Sequence, residues 1–109
     1  MNIDIRNQGD FAIFSVQGRI DTVSAPELQE RLLERISQGD SRLVVDFAGV
    51  DYISSAGLRC LMIVAKTARA DGGVLACCSL SGVVKKVFDV SGFSALLPVY
   101  DTLNDVGKQ

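Results

Sequence analysis

The sequence predicts an α/β domain in which a mixed sheet is packed with helices. Two strand-like segments flank Gln8-Gly9-Asp10 near the start of the chain, a composition typical of a hairpin turn. Beyond it, short apolar runs alternate with segments whose apolar residues recur every three or four positions, a pattern that favours helices layered on a sheet. The helical patterns open at Ser, Thr or Asp, and the three longer ones stop at Gly39, Gly72-Gly73 and Gly92, as helix boundary chemistry requires. The resulting order is β-β-α-β-α-β-α-β-α. A chain of 109 residues is close to the commonest domain size, so residues 1–109 are read as a single domain.

In the first hairpin strand Ile3 and Ile5 alternate with polar residues, and Phe11-Ala12-Ile13-Phe14-Ser15-Val16 supplies the second. Gly18-Arg19-Ile20-Asp21 leads to Ser24-Ala25-Pro26-Glu27, which reads as a capping box with proline in the first helical turn. Leu28, Leu32 and Ile36 form the apolar stripe of that helix. Leu43-Val44-Val45-Asp46-Phe47 is a nearly continuous apolar run, expected of a central strand covered on both faces. The segment Ala48–Ile53 reads as a loop leading to Ser54-Ser55, where a second helix begins with Leu58, Leu61, Met62, Ala65 and Ala68 on one side.

Val74–Cys78 reads as the next strand. A helix follows, opened by Ser79 or Ser81, with Val83, Val84, Val87 and Phe88 at helical spacing and Ser91-Gly92 as its stop. Leu96–Tyr100 fits only an edge strand or a strand end, since Pro98 has no N–H for a ladder. Asp101 or Thr102 is placed to cap a last short helix containing Leu103 and Val106.

Composition narrows the function. With 48% hydrophobic and 22% charged residues, the chain has the make-up of a soluble globular protein. Its net charge is −2, from 11 basic and 13 acidic residues, and no basic cluster could neutralise a row of phosphates, so nucleic acid is not expected as a partner. No apolar run reaches the ~18 residues of a membrane span, and the start lacks the features of a signal peptide. Cytoplasmic localisation without membrane insertion is the expectation.

The chain has no histidine, which rules out Ser-His-Asp and Cys-His catalysis. No nucleophile elbow, P-loop or dinucleotide fingerprint is present, so no enzymatic activity and no cofactor are expected. Cys60, Cys77 and Cys78 lack zinc-site spacing and read as reduced, buried thiols, the last two facing opposite sides of a strand. Asp21, Asp46 and Asp51 could meet at one end of the sheet, but three acids alone are weak ground for a metal, and none is assigned.

Ser54-Ser55 remains. One serine caps the helix while the other fills space, or one is modified: a helix start offers free N–H groups and partial positive charge, which accommodate a phosphate.

Tyr52-Ile53-Ser54-Ser55-Ala56-Gly57-Leu58-Arg59 resembles the signature loop of STAS-domain anti-sigma factor antagonists. Gly18-Arg19-Ile20-Asp21-Thr22 is similar to a second family segment, and Val83–Gly92 to its penultimate helix. The resemblance implies the STAS fold, a mixed sheet of four or five strands with helices mainly on one side. It implies phosphorylation on Ser55, with Ser54 as second choice, and a partner-binding loop of Asp21, Ser54, Ser55, Ala56, Gly57 and Arg59. Ser54 stands where many members carry Asp, and Ala56 where they carry Ser or Thr. In this role Gly57 permits close approach of a partner to the helix start, and Arg59 meets that partner's surface.

The implied partners are an anti-sigma factor that is also a serine protein kinase of the histidine-kinase-like ATPase type, and a PP2C-type serine phosphatase. The unmodified protein would bind the first and free its sigma factor, and the phosphate would switch binding off. The same resemblance admits a phosphoswitch acting on secretion, biofilm formation or cyclic-di-GMP signalling, and a STAS subunit of a membrane transport system.

Overall fold

The computed structural model describes residues 1–106. Its strands are β1 (Asn2–Gln8), β2 (Phe11–Ile20), β3 (Arg42–Ile53), β4 (Val74–Cys78) and β5 (Val99–Tyr100). Its helices are α1 (Ala25–Ser37), α2 (Ser55–Ala70) and α3 (Gly82–Ser91), with single 3-10 turns at Phe93–Ala95 and Leu103–Asp105. The strands form one five-stranded sheet in the order β1-β2-β3-β4-β5. β1 and β2 are antiparallel, and every other neighbouring pair is parallel. The expected mixed sheet and helical layer are present, but the last expected helix, with Leu103 and Val106, is reduced to the 3-10 turn Leu103–Asp105, which Val106 follows.

Side-chain alternation divides the interior. Phe14 and Val16 of β2, Leu43, Val45 and Phe47 of β3, and Leu75 and Cys77 of β4 share one core with residues of all three helices. Leu28, Leu32 and Ile36 of α1 are buried there as expected. Phe88 of α3 anchors the far side through edge-on contacts to Phe47 at 5.6 Å and Phe93 at 5.4 Å, a preferred aromatic geometry. Across the sheet, Ile13, Val44, Ala76 and Cys78 lie beneath Phe11, Tyr100, Leu103 and Val106. The three helices therefore cover one face, and the C-terminal segment covers part of the other.

Several boundaries differ from the expectations. β2 continues to Ile20, and β3 runs through Ala48–Ile53, where the sequence predicts a loop. The two strands stay paired by slipping at Ser15/Gln17 and at Gly18/Arg19, irregularities that a strict two-residue period does not reveal. Conversely, β5 is only Val99–Tyr100, because Pro98 contributes a carbonyl, to Cys77 N–H at 2.9 Å, and no donor. The buried stripe of α2 is Gly57, Cys60, Leu61, Val64 and Ala68, which leaves Leu58, Met62 and Ala65 on its flanks.

Candidate functional site

Because β2 and β3 are parallel, their carboxyl ends meet at one edge of the sheet, and chain leaving such ends forms the usual site of an α/β fold. Ile20 pairs with Ile53, and the next N–H, that of Ser54, donates to the Ile20 carbonyl at 2.9 Å. Asp21 and Ser54 are thereby brought side by side although 33 positions separate them in sequence.

The two connections from this edge are built differently. After β2, the Asp21 carboxylate accepts from Val23 and Ser24 N–H, both at 3.0 Å. Ser24 Oγ accepts from Asp21 N–H at 2.9 Å and donates to the Arg19 carbonyl at 2.7 Å. The expected capping box at Ser24 is therefore absent: its hydroxyl is turned back into this loop and makes no cap bond to α1. These amide bonds, with Ser24 N–H the largest cause and Arg19 a smaller one, hold the Asp21 carboxyl below its ordinary value of 3.8, since they favour the charged form.

After β3, Ser54 is the N-cap of α2, in extended conformation, and its Oγ accepts from Gly57 N–H at 3.3 Å. Ser55 is the first helical residue and is exposed. Of the two serines the first is committed to the helix, while the second presents its hydroxyl to solvent beside the free N–H groups of the first turn. Arg59, also exposed, lies one turn further along the same face as Ser55.

Gly57 is packed against the ends of β2 and β3. It is buried, and a Cβ there would stand 2.7 Å from Ile53 Cγ1 and 2.8 Å from Ile20 Cγ2. The close approach it permits is that of α2 to the ends of β2 and β3, inside the protein. Ala56 and Arg59 instead line a groove of about 890 Å³ between α1 and α2, with Ala25, Pro26 and Leu33 on its other wall.

Three residues of this rim lie outside the candidate set drawn from the sequence. Arg19 lies over the Tyr52 ring at 4.2 Å from its centroid and 3.9 Å from the Asp21 carboxylate. Val23 is 87% exposed, an apolar residue held outward by the Asp21 turn. Its signal is a β-branched residue in a polar turn, where burial cannot explain it.

The three aspartates do not converge. Asp46 lies mid-strand, accepting from Ser15 Oγ at 3.5 Å, and no metal-binding cluster is found among the described residues. The cysteines are free and buried, with Cys77 and Cys78 on opposite faces as expected. Among the described residues no helix is long and apolar enough to cross a membrane.

A STAS domain family model matches residues 2–106. BtrV of Bordetella bronchiseptica, a candidate anti-sigma factor antagonist, is 40% identical over 87 residues, covering 80% of this chain and 75% of that protein. The anti-sigma-B factor antagonist of Bacillus subtilis is 30% identical over 100 residues, covering 91% and 90%. Among solved structures, the Bacillus anti-sigma factor antagonist SpoIIAA in its unphosphorylated form superposes with a TM-score of 0.74 at 15% identity, covering 95% of this chain and 92% of that one.

Proposed function

The chain belongs to the STAS domain family, and from that premise we propose that it is an anti-sigma factor antagonist switched off by phosphorylation of Ser55. Antagonists of this group are non-enzymatic regulators, so the reading concerns binding. The observation that carries it is the division of labour at α2: Ser54 Oγ caps the helix, while the adjacent Ser55 is exposed at its first position. A kinase can reach Ser55 without dismantling the helix start.

In this reading the docking surface is the edge formed by Asp21, Val23, Ser55, Ala56 and Arg59, continuous with the groove between α1 and α2. The partner is an anti-sigma factor that is also a serine kinase of the histidine-kinase-like ATPase type, and a PP2C-type phosphatase restores the hydroxyl. A phosphate adds about −1.5 to −2 charges at the contact. Its negative charge is tolerated by the free protein, at a helix N-terminus one turn from Arg59, but must be desolvated in the complex. A penalty of about 3 kcal/mol lowers affinity roughly a hundredfold. The fold itself need not change, and SpoIIAA, which shares it, is also known in a phosphorylated form.

Intact-mass analysis after incubation with the candidate kinase and ATP tests the assignment. Wild type and Ser54→Ala should gain one phosphate and Ser55→Ala none. If no protein is modified, the phosphoswitch fails for that partner, and a passive STAS subunit becomes the better reading.

A further inference from the structure

We propose that the chain self-associates through β1, a second copy adding its own β1 in antiparallel fashion to make one continuous sheet. β1 is seven residues long and, among the described residues, has β2 as its sole neighbour in the sheet. Such an edge is a template for another strand unless something covers it.

The register follows from the hairpin. Gln8 pairs with Phe11 across the two-residue loop Gly9-Asp10, with Gly9 at φ +59°, as a tight hairpin turn with glycine in its first central position requires. The closing pair of such a loop is mutually hydrogen-bonded, and hydrogen-bonded pairs then alternate along an antiparallel ladder. Asn2, Asp4, Arg6 and Gln8 therefore bond to β2, whereas Ile3, Ile5 and Asn7 direct their N–H and C=O groups outward.

A twofold pairing must set outward-directed residues opposite one another, which places its axis on a residue of β1. With the axis at Asp4 or at Arg6, that side chain faces its own copy, like charge against like. With the axis near either end, at Ile3 or Asn7, the ladder is shorter. With the axis at Ile5, that residue pairs with its copy, Ile3 with Asn7, and Asp4 with Arg6 on both sides of the axis. Both charges are exposed, and among the described residues neither forms an ion pair within the chain. On the other face Ile5, only partly buried against the core, would be covered by its copy. About six main-chain hydrogen bonds and two opposite-charge pairs result. The contact is small, which makes it a concentration-dependent association and not an obligate dimer. Twofold symmetry would send the two Ser55 loops to opposite ends of the shared sheet.

Sedimentation of the full chain from micromolar to millimolar concentration tests this. Wild type should pass from monomer to dimer, with weaker association in 1 M salt, where charges are screened beyond about 3 Å. Asp4→Arg and Arg6→Asp should each weaken dimerisation about tenfold or more while keeping the wild-type circular dichroism. An equimolar mixture of the two variants should restore it, since every carboxylate again faces a guanidinium. A wild type that stays monomeric at millimolar concentration, single variants that dimerise like wild type, or a mixture that does not recover would each overturn the proposal.

Discussion

Replacing Gly57 by alanine adds one methyl group at the point where α2 crosses the ends of β2 and β3. That methyl would lie 2.7 Å from Ile53 Cγ1, 2.8 Å from Ile20 Cγ2 and 3.2 Å from Ile53 Cδ1. Both isoleucines are fully or almost fully buried, and both are β-branched, so neither can swing aside at χ1. Overpacking of a well-filled core costs about 1–3 kcal/mol, and two contacts of this closeness argue for the upper half of that range. Alanine recovers about 0.5–1 kcal/mol through its better helix propensity. The net expectation is destabilisation by ~1.5 kcal/mol, or a Tm lower by about 6 °C for a domain of this size.

The chain has no tryptophan, so urea unfolding is best followed by far-ultraviolet circular dichroism. With a slope of about 1.5 kcal/mol per molar, the midpoint should fall by ~1 M. A double variant separates packing from any other cause. Ile20→Ala removes one of the two side chains that alanine at position 57 would strike, so the pair should cost at least ~0.5 kcal/mol less than the sum of the singles. A Gly57→Ala protein as stable as wild type, or a strictly additive double variant, would refute the reasoning that this glycine exists for helix-to-strand contact.

The neighbouring serines should separate by stability as well as by modification: Ser54→Ala loses a cap and costs about 0.5–1 kcal/mol, whereas Ser55→Ala stays within ~0.5 kcal/mol of wild type, both read from the same urea titration. Ser55→Asp, placing a negative charge in the first turn of α2, should leave stability unchanged or raise it by ~0.5 kcal/mol while weakening partner binding in calorimetry. The folded-state pKa of Asp21 is lowered, so its contribution is fully present above the unfolded value of 3.8 and is lost as pH falls through the folded value. Between pH 5 and pH 2, roughly, wild type should therefore lose more stability than Asp21→Asn. Burial raises the Cys60 thiol to about 12 and the Cys78 thiol to about 11, the latter helped by the Asp46 carboxylate, and pushes Cys77 up as well. At pH 8 a thiol reagent should label none of them in the native protein and all three once it is unfolded.

What the sequence disclosed, and what it hid, divides along the range of the interactions involved. The α1 stripe of Leu28, Leu32 and Ile36 and the glycine stop at Gly92, which has φ +75°, are set by local chemistry and could be read directly. The role of Gly57 could not, because it depends on Ile20, whose side chain arrives from another strand. Ser24 shows the same limit from the other side. Its spacing from Glu27 satisfies the capping-box rule, yet the hydroxyl bonds to Arg19 and Asp21, since an aspartate three residues earlier offers the loop a better use for it. The long β2–β3 ladder was hidden because its slips break the alternation on which strand reading relies. That ladder is also what forms the site. Had β3 ended at Phe47, as its apolar run suggests, nothing would carry Ser54 to the Ile20 carbonyl, and Asp21 and Ser55 would not share an edge. The residues of the candidate loop were thus singled out by resemblance alone, while the juxtaposition of Asp21 and Ser54 is a consequence of parallel pairing that persists through Tyr52 and Ile53.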